Sequence, residues 1–123
     1  MRAHDEMDLQ AAVVSWWDEH AAAYGCVPAD LYHCKNEQWW RGGKSAGIRP
    51  GVPDLSLDVP AGPYHGLRIE LKTPRGRVSQ AQSETHARLR SHGYAVAVVR
   101  SLASASAVID AYMRGGEVPC GDH

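Results

Sequence analysis

The sequence lacks any long apolar run, which excludes one class of protein at once. No stretch of its 123 residues approaches the roughly 20 consecutive apolar residues that span a bilayer. The basic-then-apolar start of a secretion signal is missing too, so we expect a cytoplasmic protein without membrane contact. The hydrophobic share of 44% and the charged share of 22% are ordinary for a globular chain. We expect one domain over residues 1–123, with a core over about 6–113 and a flexible tail over 117–123.

Paired cysteines are also missing. Cys26, Cys34 and Cys120 are odd in number and widely spaced, which argues against a disulfide framework. A zinc site made of Cys26, His33 and Cys34 is a less favoured alternative to ordinary buried thiols, because the chain has no Cys-x-x-Cys spacing.

A phosphate-binding loop is absent as well. Gly43-Lys44-Ser45 has the form of the end of that motif, but Gln38 occupies the position where the motif requires glycine. We therefore expect no small-molecule organic cofactor. Trp39 and Trp40 are expected to pack in a core rather than to stack on nucleic-acid bases.

The chain has almost no net charge, but its charges are unevenly distributed. The total is −1, yet residues 35–100 carry a balance of +6 between acidic flanks. A cationic segment of this kind suits a polyanionic partner such as nucleic acid. Lys44 and Arg49 in a Gly-rich loop, and Arg75 and Arg77 in a basic turn, are the expected phosphate contacts.

What is present is the periodicity of an α/β domain built around a mixed sheet of about four strands. The predicted elements are a helix over 5–23, strands over 31–35, about 54–59, about 67–72 and 94–99, and helices over about 80–92 and 103–113. A capping box, Ser79-Gln80-Ala81-Gln82, begins the second helix, and Gly93 is expected to end it in a left-handed conformation. The residues expected to face the core from the first and last helices are Leu9, Val13, Trp16, Trp17, Ala105, Val108, Ile109 and Tyr112.

The stretch from Gly51 to Lys72 contains the main candidate catalytic and metal-binding residues. Its two strands flank Pro60-Ala61-Gly62-Pro63 and are expected to pair as an antiparallel hairpin with a loop near 60–66. Because side chains alternate along a strand, Glu70 and Lys72 share the polar face with Asp54. We expect Asp54 to lie across from Lys72, with Glu70 as its diagonal neighbour.

Two carboxylates and an ammonium at one end of a sheet predict a metal-dependent hydrolytic site. Asp54 and Glu70 offer the hard oxygen ligands that suit Mg²⁺ or Mn²⁺, and the carbonyl of Leu71 is a natural further ligand. Lys72 can orient or deprotonate a water molecule and stabilise transition-state charge, so the pattern favours a metal-dependent nuclease. The alternative is a simple surface ion pair between Glu70 and Lys72.

Pro53-Asp54 followed by Glu70-Leu71-Lys72 resembles the PD-(D/E)xK nuclease signature. The fuller pattern resembles the virus-type replication-repair nuclease (VRR-Nuc) domain in its stand-alone phage or prophage form. The matching pieces, spread over about residues 6–113, are Glu6 and Gln10, His33-x-x-Asn36, Gly51-Val52-Pro53-Asp54-Leu55, Ile69-Glu70-Leu71-Lys72, Gly76-x-x-Ser79-x-x-Gln82 and Gly93-Tyr94.

The resemblance implies a restriction-endonuclease-like αβββαβ core with a C-terminal helix. It implies that Asp54, Glu70 and the Leu71 carbonyl bind the metal, with Glu6 nearby, directly or through water. Lys72 would be catalytic, and Gln82 would approach from its helix. The resemblance further implies a homodimeric endonuclease of branched DNA such as four-way (Holliday) junctions. The remaining alternatives are a non-catalytic nucleic-acid-binding module of the same fold and a structural protein with salt-bridged carboxylates.

Overall fold

A mixed sheet organises the chain in the computed structural model, which describes residues 3–34, 47 and 49–118. In that part of the chain the sheet has four strands, β1 (Leu31–His33), β2 (Leu55–Leu57), β3 (Leu67–Leu71) and β4 (Ala95–Val99), in this spatial order. The β1–β2 and β2–β3 pairs are antiparallel, and β3–β4 is parallel. The predicted α/β class with a mixed sheet is confirmed.

Helices cover both faces of this sheet. They are α1 (Ala3–His20), α2 (Gln80–Ser91) and α3 (Leu102–Met113). The helix predicted over 5–23 ends as an α-helix at His20 and continues as a 3₁₀ turn, Ala21–Tyr24, which Gly25 closes in a left-handed conformation. The α2 helix supplies the long crossover that the parallel β3–β4 pair requires.

The core lies between one face of the sheet and the helices α1 and α3. Val13 and Trp17 are fully buried in it, whereas Leu9 and Trp16 pack at its edge. The four α3 residues predicted to face inward, Ala105, Val108, Ile109 and Tyr112, are all buried. Every residue of β4 is buried, as predicted for a strand covered on both faces.

The α2 helix packs on the opposite face of the sheet. Ala95, Ala97 and Val99 belong to the core cluster, so Val96 and Val98 face the other side. On that side Arg90 of α2 donates a hydrogen bond to the carbonyl of Val96 at 3.0 Å. The helix begins at the predicted capping box and ends before Gly93, whose φ of 92° confirms the predicted left-handed cap.

The β2–β3 register differs from the prediction. Leu55 pairs with Ile69, so continuing the ladder by one residue sets Asp54 opposite Glu70 rather than opposite Lys72. A slip of two residues keeps every side chain on its face, so the alternating pattern permits both registers. The connection contains a turn in which Ala61 and Tyr64 exchange backbone hydrogen bonds of 3.2 and 3.0 Å.

Val118 lies at the C-terminal end of the described residues. It is only 7% exposed and packs with the core cluster. The flexibility expected over residues 117–123 stays a prediction. Residues 119–123 lie outside the described residues. Among the described helices, none has both the length and the apolarity that crossing a membrane requires.

Candidate active site

Asp54 is held at the end of β2 by both neighbouring strands. Its backbone carbonyl accepts a hydrogen bond of 2.8 Å from the N–H of Cys34. The same oxygen lies 3.0 Å from Nδ1 of His33, which must carry the proton because a carbonyl only accepts. The Asp54 side chain turns towards β3, where its Oδ2 accepts from the N–H of Leu71 at 2.8 Å. Its carboxyl group is therefore fixed beside that of Glu70.

The two carboxyl groups perturb one another. Burial, together with a hydrogen bond to Glu70 and the charge of Glu70, raises the pKa of Asp54 from 3.8 to about 7. The N–H of Leu71 and the charge of His33 oppose this rise in the pKa of Asp54. When protonated, Asp54 donates to Glu70. A buried carboxylate, Glu70, and a half-buried one, Asp54, side by side form a concentration of negative charge that a cation relieves.

Glu70 is the most enclosed acidic side chain of the site, at 2% exposure. Gln82 and His86, both on α2, approach its two oxygens. Nε2 of Gln82 lies 3.3 Å from Oε2, and Nε2 of His86 lies 3.3 Å from Oε1. The carboxyl group is therefore contacted at both oxygens by one helix.

The groups around Glu70 shift its pKa in both directions. Burial raises the pKa of Glu70, and the negative charge of Glu6 raises it too, whereas Asp54, through its hydrogen bond, and Lys72, through its charge, lower it. Lys72 is partly exposed, and its backbone N–H donates to the carbonyl of Val99 at 3.0 Å. Lys72, directly after β3, and Glu6, on α1, thus act on the pKa of Glu70.

Gln82 has two roles that the sequence pattern presents separately. Its Oε1 accepts from the N–H of Ser79 at 2.9 Å, and its own N–H donates to Oγ of Ser79 at 3.1 Å, which completes the capping box. This uses the amide oxygen and leaves the amide nitrogen to donate to Glu70. The cap therefore orients the amide towards the carboxylate pair.

The donor set at Asp54 and Glu70 fits a hard divalent cation. Carboxylate oxygens are the ligands that Mg²⁺ and Mn²⁺ prefer, and positive charge would offset the burial and the repulsion that raise the pKa of Asp54. Within the described part of the chain, no three or more His, Cys, Asp or Glu side chains gather as a metal-binding group. The predicted place of Glu6 near the metal, and the less favoured zinc site of Cys26, His33 and Cys34, stay predictions.

A basic turn follows Lys72 directly. Its backbone is held by Arg100, whose Nη1 donates to the carbonyls of Thr73 at 2.6 Å and Gly76 at 2.7 Å. Arg75 and Arg77 are exposed on this turn. The turn therefore carries two cations at the surface, next in sequence to the predicted catalytic lysine.

Other predicted contacts lie outside the described residues. They are Asn36, Trp39, Trp40, Lys44 and Cys120, and their roles stay predictions. Arg49 is described and exposed. The next residue, Pro50, lies close to α2, since Oγ1 of Thr85 is 3.5 Å from its carbonyl oxygen.

Sequence reasoning missed two residues of this region, His86 and Arg100. His86 lies one helical turn after Gln82, and this i, i+4 spacing was the available signal that both share a face. Arg100 carries no such signal, because its partners are backbone carbonyls about 24 to 27 positions away in sequence.

A mixed sheet with a carboxylate pair and a lysine at the ends of two adjacent strands defines a restriction-endonuclease-like nuclease fold. The family model for the VRR-NUC domain matches residues 1–103, which is most of the chain. The chain therefore belongs to the VRR-NUC family, and the resemblance noted in its sequence is confirmed.

Solved structures agree with this assignment. A chain described as a VRR_NUC domain protein is 27% identical, with a TM-score of 0.80 over 95% of this chain and 94% of that chain. A second, described as a VRR_NUC domain, is 24% identical, with a TM-score of 0.58 over 88% of this chain and 97% of that chain, and it supports the fold alone. Comparison with curated protein sequences found no significant match.

Proposed function

We propose that this protein is a divalent-metal-dependent DNA endonuclease that hydrolyses phosphodiester bonds. The observation that carries the proposal is the Asp54–Glu70 pair, whose burial and mutual repulsion raise the pKa of Asp54 to about 7. Membership of a nuclease family and the cationic balance of residues 35–100 support DNA as the substrate.

In this proposal Asp54, Glu70 and the carbonyl of Leu71 hold Mg²⁺ or Mn²⁺, and Glu6 acts on the site through water. The chemistry that the cation supplies when bound is Lewis acidity towards phosphate oxygens and activation of water. Lys72 orients the attacking water and stabilises the negative charge that develops on the phosphate.

The surrounding residues position these groups and the DNA. Gln82 holds Glu70 through its amide nitrogen. Arg75 and Arg77 on the basic turn, together with Arg49 and Lys44, contact backbone phosphates on either side of the bond that is cut. Such contacts place the substrate without reading its sequence, which suits an enzyme that selects a DNA structure.

The first experiment is a cleavage panel of linear, flapped and four-way DNA with and without Mn²⁺. Asp54→Asn and Lys72→Ala are expected to lower cleavage by at least about 100-fold while leaving most DNA binding intact, because both act on the reacting centre. Asp58→Asn is the matched control. It makes the same chemical change on the same face of the hairpin, at an exposed aspartate that hydrogen-bonds to Ser56 and Tyr32. A wild-type protein that cuts none of the substrates with Mn²⁺ would contradict the proposal.

We also propose that the protein acts as a homodimer on branched DNA such as four-way junctions. Two strands of a symmetric junction are cut most directly by two symmetric copies of one site. Met7 on α1 and Leu102 on α3 are large exposed apolar side chains on the helices where we expect the interface. Light scattering is expected to give the mass of two chains, and a mass near that of one 13.4 kDa chain would contradict the proposed dimer.

A further inference from the structure

His86 is a buried polar side chain that the proposed reaction does not use directly. It is 3% exposed and lies on α2 one turn after Gln82. Its Nε2 is 3.3 Å from Oε1 of Glu70, whereas Gln82 reaches Oε2 of the same carboxyl group. Because an ionised carboxylate only accepts hydrogen bonds, Nε2 of His86 carries the proton in this contact.

Contacts at both oxygens matter because the end of a glutamate side chain is otherwise free to turn. Its last torsion is broad and roughly two-fold, so a single hydrogen bond leaves the other oxygen able to swing. Donors at Oε1 and Oε2 together remove that rotation. Each oxygen has two lone pairs, so one on each is left for the side where Asp54 lies.

We propose that His86 is a positioning residue, whose Nε2–H holds Oε1 of Glu70 so that Glu70 and Asp54 form a preorganised cation site. The inference rests on the proposed metal-dependent function and deepens it. A ligand that is already oriented loses less freedom when the ion binds, and removing such a supporting hydrogen bond typically costs about 10–100-fold in metal affinity or activity.

The position of α2 does not depend on His86 alone. Oγ1 of Thr85 approaches the carbonyl of Pro50, and Arg90 donates to the carbonyl of Val96. The backbone at Gly51 also passes close to the helix, since a Cβ atom built there would overlap the carbonyl oxygen of Ala81. A substitution at His86 is therefore expected to change the carboxylate while leaving the helix docked.

The test compares three substitutions by Mn²⁺ titration calorimetry and by cleavage kinetics. In His86→Gln the amide nitrogen reaches about as far as Nε2 of histidine and can donate to Glu70. In His86→Asn the amide is one bond shorter, and in His86→Leu no donor is left. We expect the Asn and Leu variants to bind Mn²⁺ about 10–100-fold more weakly and to lose kcat at fixed metal with little change in KM for DNA, while Gln restores most of both.

His92→Leu is the matched control, since it removes an exposed histidine at the end of the same helix. Circular dichroism melts report whether each variant folds. The proposal is overturned if His86→Asn and His86→Leu bind Mn²⁺ as wild type does, or if His86→Gln is as defective as they are. A wild-type protein that gives no Mn²⁺ heat overturns the proposed function and this inference together, whereas normal wild-type binding with unaffected variants overturns this inference alone.

Discussion

Gly51 lies three residues before Asp54 and close to α2, the helix that carries Gln82, and its replacement by alanine tests how closely the two segments pack. The residue is buried and has a φ of 84°. A Cβ atom at this position would overlap the carbonyl oxygen of Ala81 and lie 2.7 Å from Oγ1 of Thr85. Gly51→Ala therefore forces both a strained backbone and a displaced α2.

The expected fall in the free energy of unfolding is the sum of these two costs. An L-residue in the left-handed region costs roughly 1–2 kcal/mol, part of which is offset because alanine restricts the unfolded chain. Gly25→Ala isolates this cost, since Gly25 has a φ of 74° and no atom of the described residues lies within 4 Å of the place that a Cβ would take. Overpacking adds about 1–3 kcal/mol at Gly51, so we expect the free energy of unfolding to fall by about 1 kcal/mol for Gly25→Ala and about 3 kcal/mol for Gly51→Ala.

Thermal denaturation followed by circular dichroism measures the difference. For a chain of this size the two losses correspond to falls in Tm of about 4 °C and about 12 °C. Gly51→Ala is also expected to reduce cleavage more than Gly25→Ala, because it pushes the first turn of α2 away from Glu70. Equal falls in Tm for the two variants would refute the reasoning, since the contact with Ala81 would then cost nothing.

Three further predictions concern the carboxylate pair, the core and the basic turn. In metal-free protein the folded-state pKa of Asp54 is about 7 against an ordinary 3.8, so its contribution to stability is complete at low pH and is lost as pH rises from about 4 to 7. Asp54→Asn is therefore expected to gain roughly 4 kcal/mol over wild type between pH 4 and pH 8. Parallel Tm curves of the two proteins in EDTA would contradict this. Tyr112→Phe removes the hydroxyl that donates to the carbonyl of Val59. Urea denaturation is expected to show a fall of about 1 kcal/mol in the free energy of unfolding. An unchanged midpoint would mean that water replaces this hydrogen bond. Arg100→Met removes the hydrogen bonds that hold the carbonyls of the 73–76 turn. Because this turn carries the proposed phosphate contacts, the variant is expected to bind DNA about 3–10-fold more weakly in fluorescence anisotropy at low salt. Unchanged affinity would mean that the turn keeps its shape without the guanidinium.

Local patterns in the sequence determined much of this protein. Alternation over β3 placed Glu70 on the polar face and Ile69 in the core, because side chains on a strand alternate whatever the partner strand does. The capping box at Ser79 and Gln82 and the left-handed Gly93 were also predictable, since both depend on a few consecutive residues.

The tertiary structure alone decided which polar groups meet. The sequence pattern left two β2–β3 registers open, because a slip of two residues preserves every face, and the folded chain adopts the one that sets Asp54 beside Glu70. His86 is polar and periodicity assigned it no role, yet the docking of α2 brings it to Glu70 across 16 positions of sequence. Residue types and spacing are local properties that a sequence displays directly, whereas contacts of this range depend on how the elements pack.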